Sequence, residues 1–97
     1  MDKLTWEKAV NSVALANAMC QTDLKVIVNN EGLMELYTGL NELLMVAHNF
    51  QEIDAYLAGM CIGERNGRPE GTSFLPREWS LFQLGLKHGL RLHERKM

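Results

Sequence analysis

The sequence predicts an all-α fold, a small bundle of about four helices with one Gly/Pro loop before the last. Three observations predict it. Apolar residues recur at three- and four-residue spacing along most of the 97-residue chain. The β-branched run Val26-Ile27-Val28 has no obvious second strand to pair with. The Gly/Pro-bearing stretch 66–73 is the one clear loop.

Taken in order, Thr5 is placed to cap a first helix, with Glu7 in its first turn. Trp6, Ala9, Val10, Val13, Ala16 and Cys20 make its apolar face. Asp23 can cap the next segment, and residues 24–28 are assigned to a short helix or helical turn, because a lone strand leaves its backbone groups unpaired. After a turn at 29–32, Leu33, Leu36, Tyr37, Leu40, Leu43, Leu44 and Ala47 read as an amphipathic helix with Glu31, Glu35 and Glu42 along its outer edge. Asn49 caps the next helix, with Glu52 three residues on as in a capping box. Phe50, Ile53, Tyr56, Leu57, Met60 and Cys61 supply its buried face, ending near Arg65. Pro76 suits the first turn of a final helix that runs to about Glu94.

The length supports a single helical domain, 1–97. A hydrophobic content of 46% and a charged content of 23% are ordinary globular values. No apolar run is long enough to span a membrane, and the N-terminus lacks the pattern of a signal peptide, so the cytoplasm is the expected location. Cys20 and Cys61 lie inside apolar patterns and are expected to be reduced core thiols.

Charge is distributed unevenly. The first 64 residues hold nine acids and three bases, and Val26 to Glu64 contains no Lys or Arg. Residues 65–97 reverse the balance, with seven bases and three acids. Such asymmetry suggests surfaces that meet charged partners without naming them.

The last helix carries two apolar stripes. Trp79, Phe82, Leu86 and Leu90 form one; Leu81, Leu84, Gly85, His88 and Leu92 form the other on nearly the opposite side, flanked by Arg77, Arg91 and Arg95. Either the helix is the buried centre of a bundle, or the second stripe with its arginine border faces a partner. Gly59 and Gly63 are echoed by Gly85 and Gly89, two pairs four residues apart that admit another backbone. Close packing of the last two helices is one reason for them, and close approach to a partner is the other. The loop Gly67, Arg68, Pro69, Gly71 should be exposed and mobile, and its Arg68-Pro69 bond is the kind that a prolyl isomerase accepts.

No catalytic constellation stands out, and the chain reads as a non-enzyme without a cofactor. His48, His88 and His93 lack the i, i+4 spacing of a helical metal site, and the two cysteines lack Cys-x-x-Cys spacing, so no metal is expected. Arg77, Lys87, Arg91, Arg95 and Lys96 could meet phosphates, but the chain is acidic overall, with an isoelectric point of about 5.9. Six acids over residues 26–64 are too sparse for a DNA mimic.

In length, helical make-up and the Arg68-Pro69 loop, with the glycine-spaced segments 55–67 and 82–95, the chain resembles the phage-encoded anti-RecBCD recombination modulators of lambdoid Salmonella-type phages. The resemblance implies binding to the RecC side of the host RecBCD helicase–nuclease and altered nuclease activity, sparing phage DNA ends. The local chemistry, rather than the resemblance, supplies the candidate binding residues: Arg77, Leu81, Leu84, His88, Arg91, Leu92 and Arg95, with the 67–71 loop beside them. The alternative is a self-associating regulatory or nucleic-acid-binding helical protein.

Overall fold

The computed structural model describes residues 3–67 and 75–95. Three helices, α1 (Lys3–Cys20), α2 (Phe50–Glu64) and α3 (Pro76–Arg95), accompany three strands, β1 (Lys25–Val28), β2 (Met34–Tyr37) and β3 (Leu43–Ala47). The architecture is α+β, which corrects the all-α expectation. The chain divides into two compact units, Met1–Ile53 and Asp54–Met97. Among the described residues no helix is long and apolar enough to cross a membrane.

In the first unit, α1 begins at Lys3, so Thr5 lies inside the helix rather than capping it. Its buried line is small: Ala9, Val13, Ala16 and Cys20. The helix ends in a Schellman closure, with Gln21 in the left-handed region (φ 54°) and the Thr22 N–H donating to the Asn17 carbonyl at 3.2 Å. The Asn17 side chain then ties the helix to the sheet. Its Oδ1 accepts from the Leu24 N–H at 2.8 Å, and its Nδ2 donates to the Leu24 carbonyl at 3.0 Å.

The strands form an antiparallel meander in the order β1-β2-β3. Register places Val26 opposite Leu36 and Val28 opposite Met34; Met34 pairs in turn with Ala47 and Leu36 with Met45. These six share one face, on which Met34, Leu36, Met45 and Ala47 are buried. Lys25, Ile27, Glu35, Tyr37 and Val46 alternate onto the other face. There the Asn29 amide and the Tyr37 hydroxyl donate to the Glu35 carboxylate at 3.0 and 2.7 Å, and these two bonds hold its pKa below the usual carboxylate value.

Both hairpins use one device. The Asn29 N–H donates to the Leu33 carbonyl and the Thr38 N–H to the Glu42 carbonyl, each at 2.9 Å. Three residues lie within each loop, and the third is left-handed: Gly32 (φ 79°) and Asn41 (φ 66°). Asn29 Oδ1 accepts from the Glu31 and Leu33 amides, as Thr38 Oγ1 does from those of Leu40 and Glu42. These turns explain why the helix expected over 33–47 does not form. Its apolar spacing is interrupted at Thr38-Gly39-Leu40-Asn41-Glu42, where the side chain of Thr38 and the left-handed Asn41 favour chain reversal. The same turns correct the expected helix at 24–28. Residues 25–28 form a strand, and the partner they need is β2, inside the segment that spacing assigns to a helix.

Asn49 caps α2 as expected: its Oδ1 accepts from the Glu52 N–H at 3.0 Å. The Glu52 carboxylate, 5% exposed, accepts from the His48 N–H at 2.9 Å, one residue before the capping-box position. A second Schellman closure ends the helix, with Asn66 left-handed (φ 52°) and the Gly67 N–H donating to the Ile62 carbonyl at 2.8 Å.

In the second unit, α2 and α3 meet backbone to backbone. A methyl group added at Gly59 would strike the Phe82 carbonyl oxygen, and one at Gly63 the Leu86 carbonyl oxygen. Reciprocally, one at Gly85 would strike the Tyr56 carbonyl oxygen and one at Gly89 that of Met60. Contact positions advance together along both chains, so the helices run parallel. The glycine echo is thus a packing seam of the small-xxx-small kind.

The left-handed turn positions give a paired prediction. Gly32→Ala should lower unfolding free energy by about 1 kcal/mol, because an L side chain is disfavoured there. Asn41→Gly should leave stability unchanged or raise it by a few tenths. Urea titrations of the two variants beside the parent chain measure both.

Candidate functional site

The candidate residues on α3 are brought onto one face by spacing. Arg77, Leu81, Leu84, His88, Arg91 and Arg95 succeed one another at intervals of four and three, which confines them to an arc of about 80° on a helix turning 100° per residue. Leu92 sits at the margin of that arc nearer the glycine seam. Arg77, Arg91 and Arg95 are exposed, while Leu81, Leu84, His88 and Leu92 are half-buried.

The seam explains that half-burial. Phe82, Gly85 and Gly89 are the buried residues of α3. The two apolar stripes lie on either side of this line rather than one inside and one outside. Neither stripe is simply core or simply surface. On the other flank Trp79 stacks on Phe82, with ring centroids 5.5 Å apart and planes 18° from parallel.

Two histidines of α3 bond to α2. The fully buried Tyr56 donates its hydroxyl to His88 Nδ1 at 2.6 Å, and the rings meet edge-to-face with centroids 5.7 Å apart. Burial pushes the Tyr56 phenol well above its usual value, so it remains a donor. Burial, then the Arg91 and Lys87 charges, lower the His88 pKa and favour the neutral ring that can accept this bond. His93 Nδ1 lies 3.0 Å from the Glu64 carbonyl oxygen and donates to it, satisfying one carbonyl of the last turn of α2. His88 therefore serves the fold as well as the candidate face.

Of the loop candidates, Gly67 is exposed and closes α2; Arg68, Pro69 and Gly71 lie outside the described residues. Among the described residues no group of three or more His, Cys, Asp or Glu side chains is placed to hold a metal ion. Cys20 and Cys61 are buried thiols, neither of them in a disulfide.

Sequence reasoning missed Tyr56 and His93 as partners of this helix pair. A signal for Tyr56 was available, since it precedes Gly59 by three residues as Phe82 precedes Gly85. The two helices present the same aromatic-and-glycine pattern to each other. His93 has no counterpart in that pattern. No family model, curated protein or solved structure matches this chain.

The Tyr56–His88 bond makes stability depend on pH. His88 has a folded-state pKa below its ordinary 6.5, so its contribution is complete above about pH 6.5 and is lost as pH falls from there toward the folded value. Unfolding free energy should decline across that interval in the parent chain. His88→Gln, whose carbonyl can still accept from Tyr56, should show a smaller decline. Tyr56→Phe should cost about 1 kcal/mol at pH 7.5. Denaturant melts at stepped pH read all three.

Proposed function

We propose that this chain is a non-catalytic protein binder that acts in the bacterial cytoplasm on the RecC side of the host RecBCD helicase–nuclease, modulating it so that phage DNA ends are spared for recombination. One observation carries the binding half of this reading. The face of α3 from Arg77 to Arg95 combines half-exposed leucines with exposed arginines. Apolar area flanked by guanidinium groups suits a protein partner that offers carboxylates around an apolar patch. Leu84 and Leu92 would supply buried area on binding, while Arg91 and Arg95 would set orientation and association rate. The identity of the partner comes from the resemblance in length and in the Arg68-Pro69 loop. On the same reading, a host prolyl isomerase acts at Pro69.

The charge-reversed double variant Arg91→Glu, Arg95→Glu should weaken binding to purified RecBCD by about tenfold or more, chiefly through association rate and with reduced salt sensitivity. Leu84→Arg should abolish binding while helicity and melting survive, because Leu84 lies on the flank of the seam rather than in it. Surface-captured RecBCD with the chain as analyte, paired with degradation of linear duplex by the nuclease, provides both readouts. No binding and no change in degradation by the parent chain would overturn the reading. A salt-sensitive shift of labelled duplex by this chain alone would redirect it to nucleic acid.

A further inference from the structure

The outer edge of β1 holds unused hydrogen-bonding capacity of a definite length. The bond from the Asn29 N–H to the Leu33 carbonyl sets the parity of the first ladder. Lys25 and Ile27 therefore direct their backbone groups at β2, and Val26 and Val28 direct theirs away from it. β1 is an edge strand, hydrogen-bonded in the sheet to β2 alone. Two residues on, in either direction, the edge is closed. The outward N–H and carbonyl of Leu24 are both taken by the Asn17 side chain, and Asn30 lies in the turn. What remains is two residues with two donors and two acceptors, next to Ile27 (44% exposed) and Val28 (41% exposed). The usual protections of an edge are sparse here: there is no proline or bulge in β1, and its single charge, Lys25, lies at one end with its ammonium on the Asn41 side chain.

We propose that two copies of this chain associate through β1, antiparallel about a two-fold axis at Ile27, so that the two three-stranded sheets continue into one of six strands. Symmetry and parity select this register. Val26 of each copy faces Val28 of the other as a hydrogen-bonded pair, which uses every free group on both edges in four bonds. Ile27 faces its own symmetry mate in a non-hydrogen-bonded pair, where side chains come closest. A slip of two residues one way would need the Leu24 groups that Asn17 occupies, and the other way would need Asn30 from the turn. Shifting by one residue would set outward groups against inward ones. In the selected register Lys25 meets Asn29 of the second copy, so no like charges are opposed. A second copy is the occupant because the edge complements itself in bond count, β-branched pairing and charge. The contact is separate from the α3 face and stands or falls independently of it.

Sedimentation of the full chain over a wide concentration range tests this. The parent chain should approach twice its monomer mass reversibly. Val28→Pro removes an outward N–H that β2 does not use, so the fold should persist while dimerisation weakens about tenfold or more. Ile27→Lys places two ammonium groups at the axis and should have a similar effect. Ile27→Cys should form an interchain disulfide on mild oxidation, since non-hydrogen-bonded pairs bring Cα atoms to about 4.5 Å. The native Cys20 and Cys61 are buried. If Val28→Pro fails to fold, the two Ile27 variants decide. A parent chain that stays monomeric at every concentration, with no interchain disulfide in the Ile27→Cys variant, would overturn the proposal and leave the edge to an unrelated extended peptide. A dimer indifferent to Ile27→Lys would overturn it in favour of another interface.

Discussion

Four glycines allow α2 and α3 to approach more closely than leucine-faced helices can, and the remainder of the second unit depends on that approach. A methyl group at any of the four would meet a carbonyl oxygen of the opposite helix. A Cα hydrogen of each glycine therefore points at that oxygen, and the seam is made of weak C–H···O contacts and dispersion rather than interlocking side chains. Each glycine costs its own helix about 1 kcal/mol relative to alanine, a cost that the docked state has to offset. Register is tightly specified as a result, since sliding one helix by a residue would put Tyr56, Met60, Phe82 or Leu86 where a glycine must be.

The seam also accounts for the surface of α3. With glycine in the contact line, the leucines cannot point at α2 and are displaced to both flanks, where they are half-covered. The arginine row lies beyond one flank. Parallel rather than antiparallel packing is compatible with the long stretch of chain between Glu64 and Pro76, because an antiparallel pair would need only a short turn. Hydrogen bonds from His93 to Glu64 and from Tyr56 to His88 then fix the rotation of α3 about its axis.

How much of this was legible depended on whether the signal was local. Helices α2 and α3 were, because Asn49, Pro76 and the apolar spacing between them are cues within a turn or two of the ends they mark. The sheet was not. Leu33, Leu36, Leu40, Leu43 and Ala47 satisfy a helical period, and a count of that period ignores the turn chemistry that breaks it. Asn29 with Gly32 and Thr38 with Asn41 repeat the same arrangement nine residues apart, a regularity that spells two hairpins once both are considered together. On the candidate face, the arc of α3 was legible from spacing alone. The bond between Tyr56 and His88 was not, because it joins residues 32 positions apart whose meeting depends on the seam.

The same bond separates the residues of the α3 face into two kinds. His88 lies in the middle of the arc, yet its Nδ1 lone pair is used by Tyr56 inside the helix pair. Replacing it changes folding before it changes any contact beyond the chain, so a loss of binding in such a variant would say little about the partner. Arg91 and Arg95 are exposed and lie one turn apart on the outer side of the helix, where reversing their charge alters the field presented to a partner and leaves the glycine seam intact. Leu84 lies between these cases, apolar and half-buried on the flank. A partner that covered it would complete a burial that the seam leaves unfinished, and that gives the leucines on this flank a physical reason to stay beside charged neighbours.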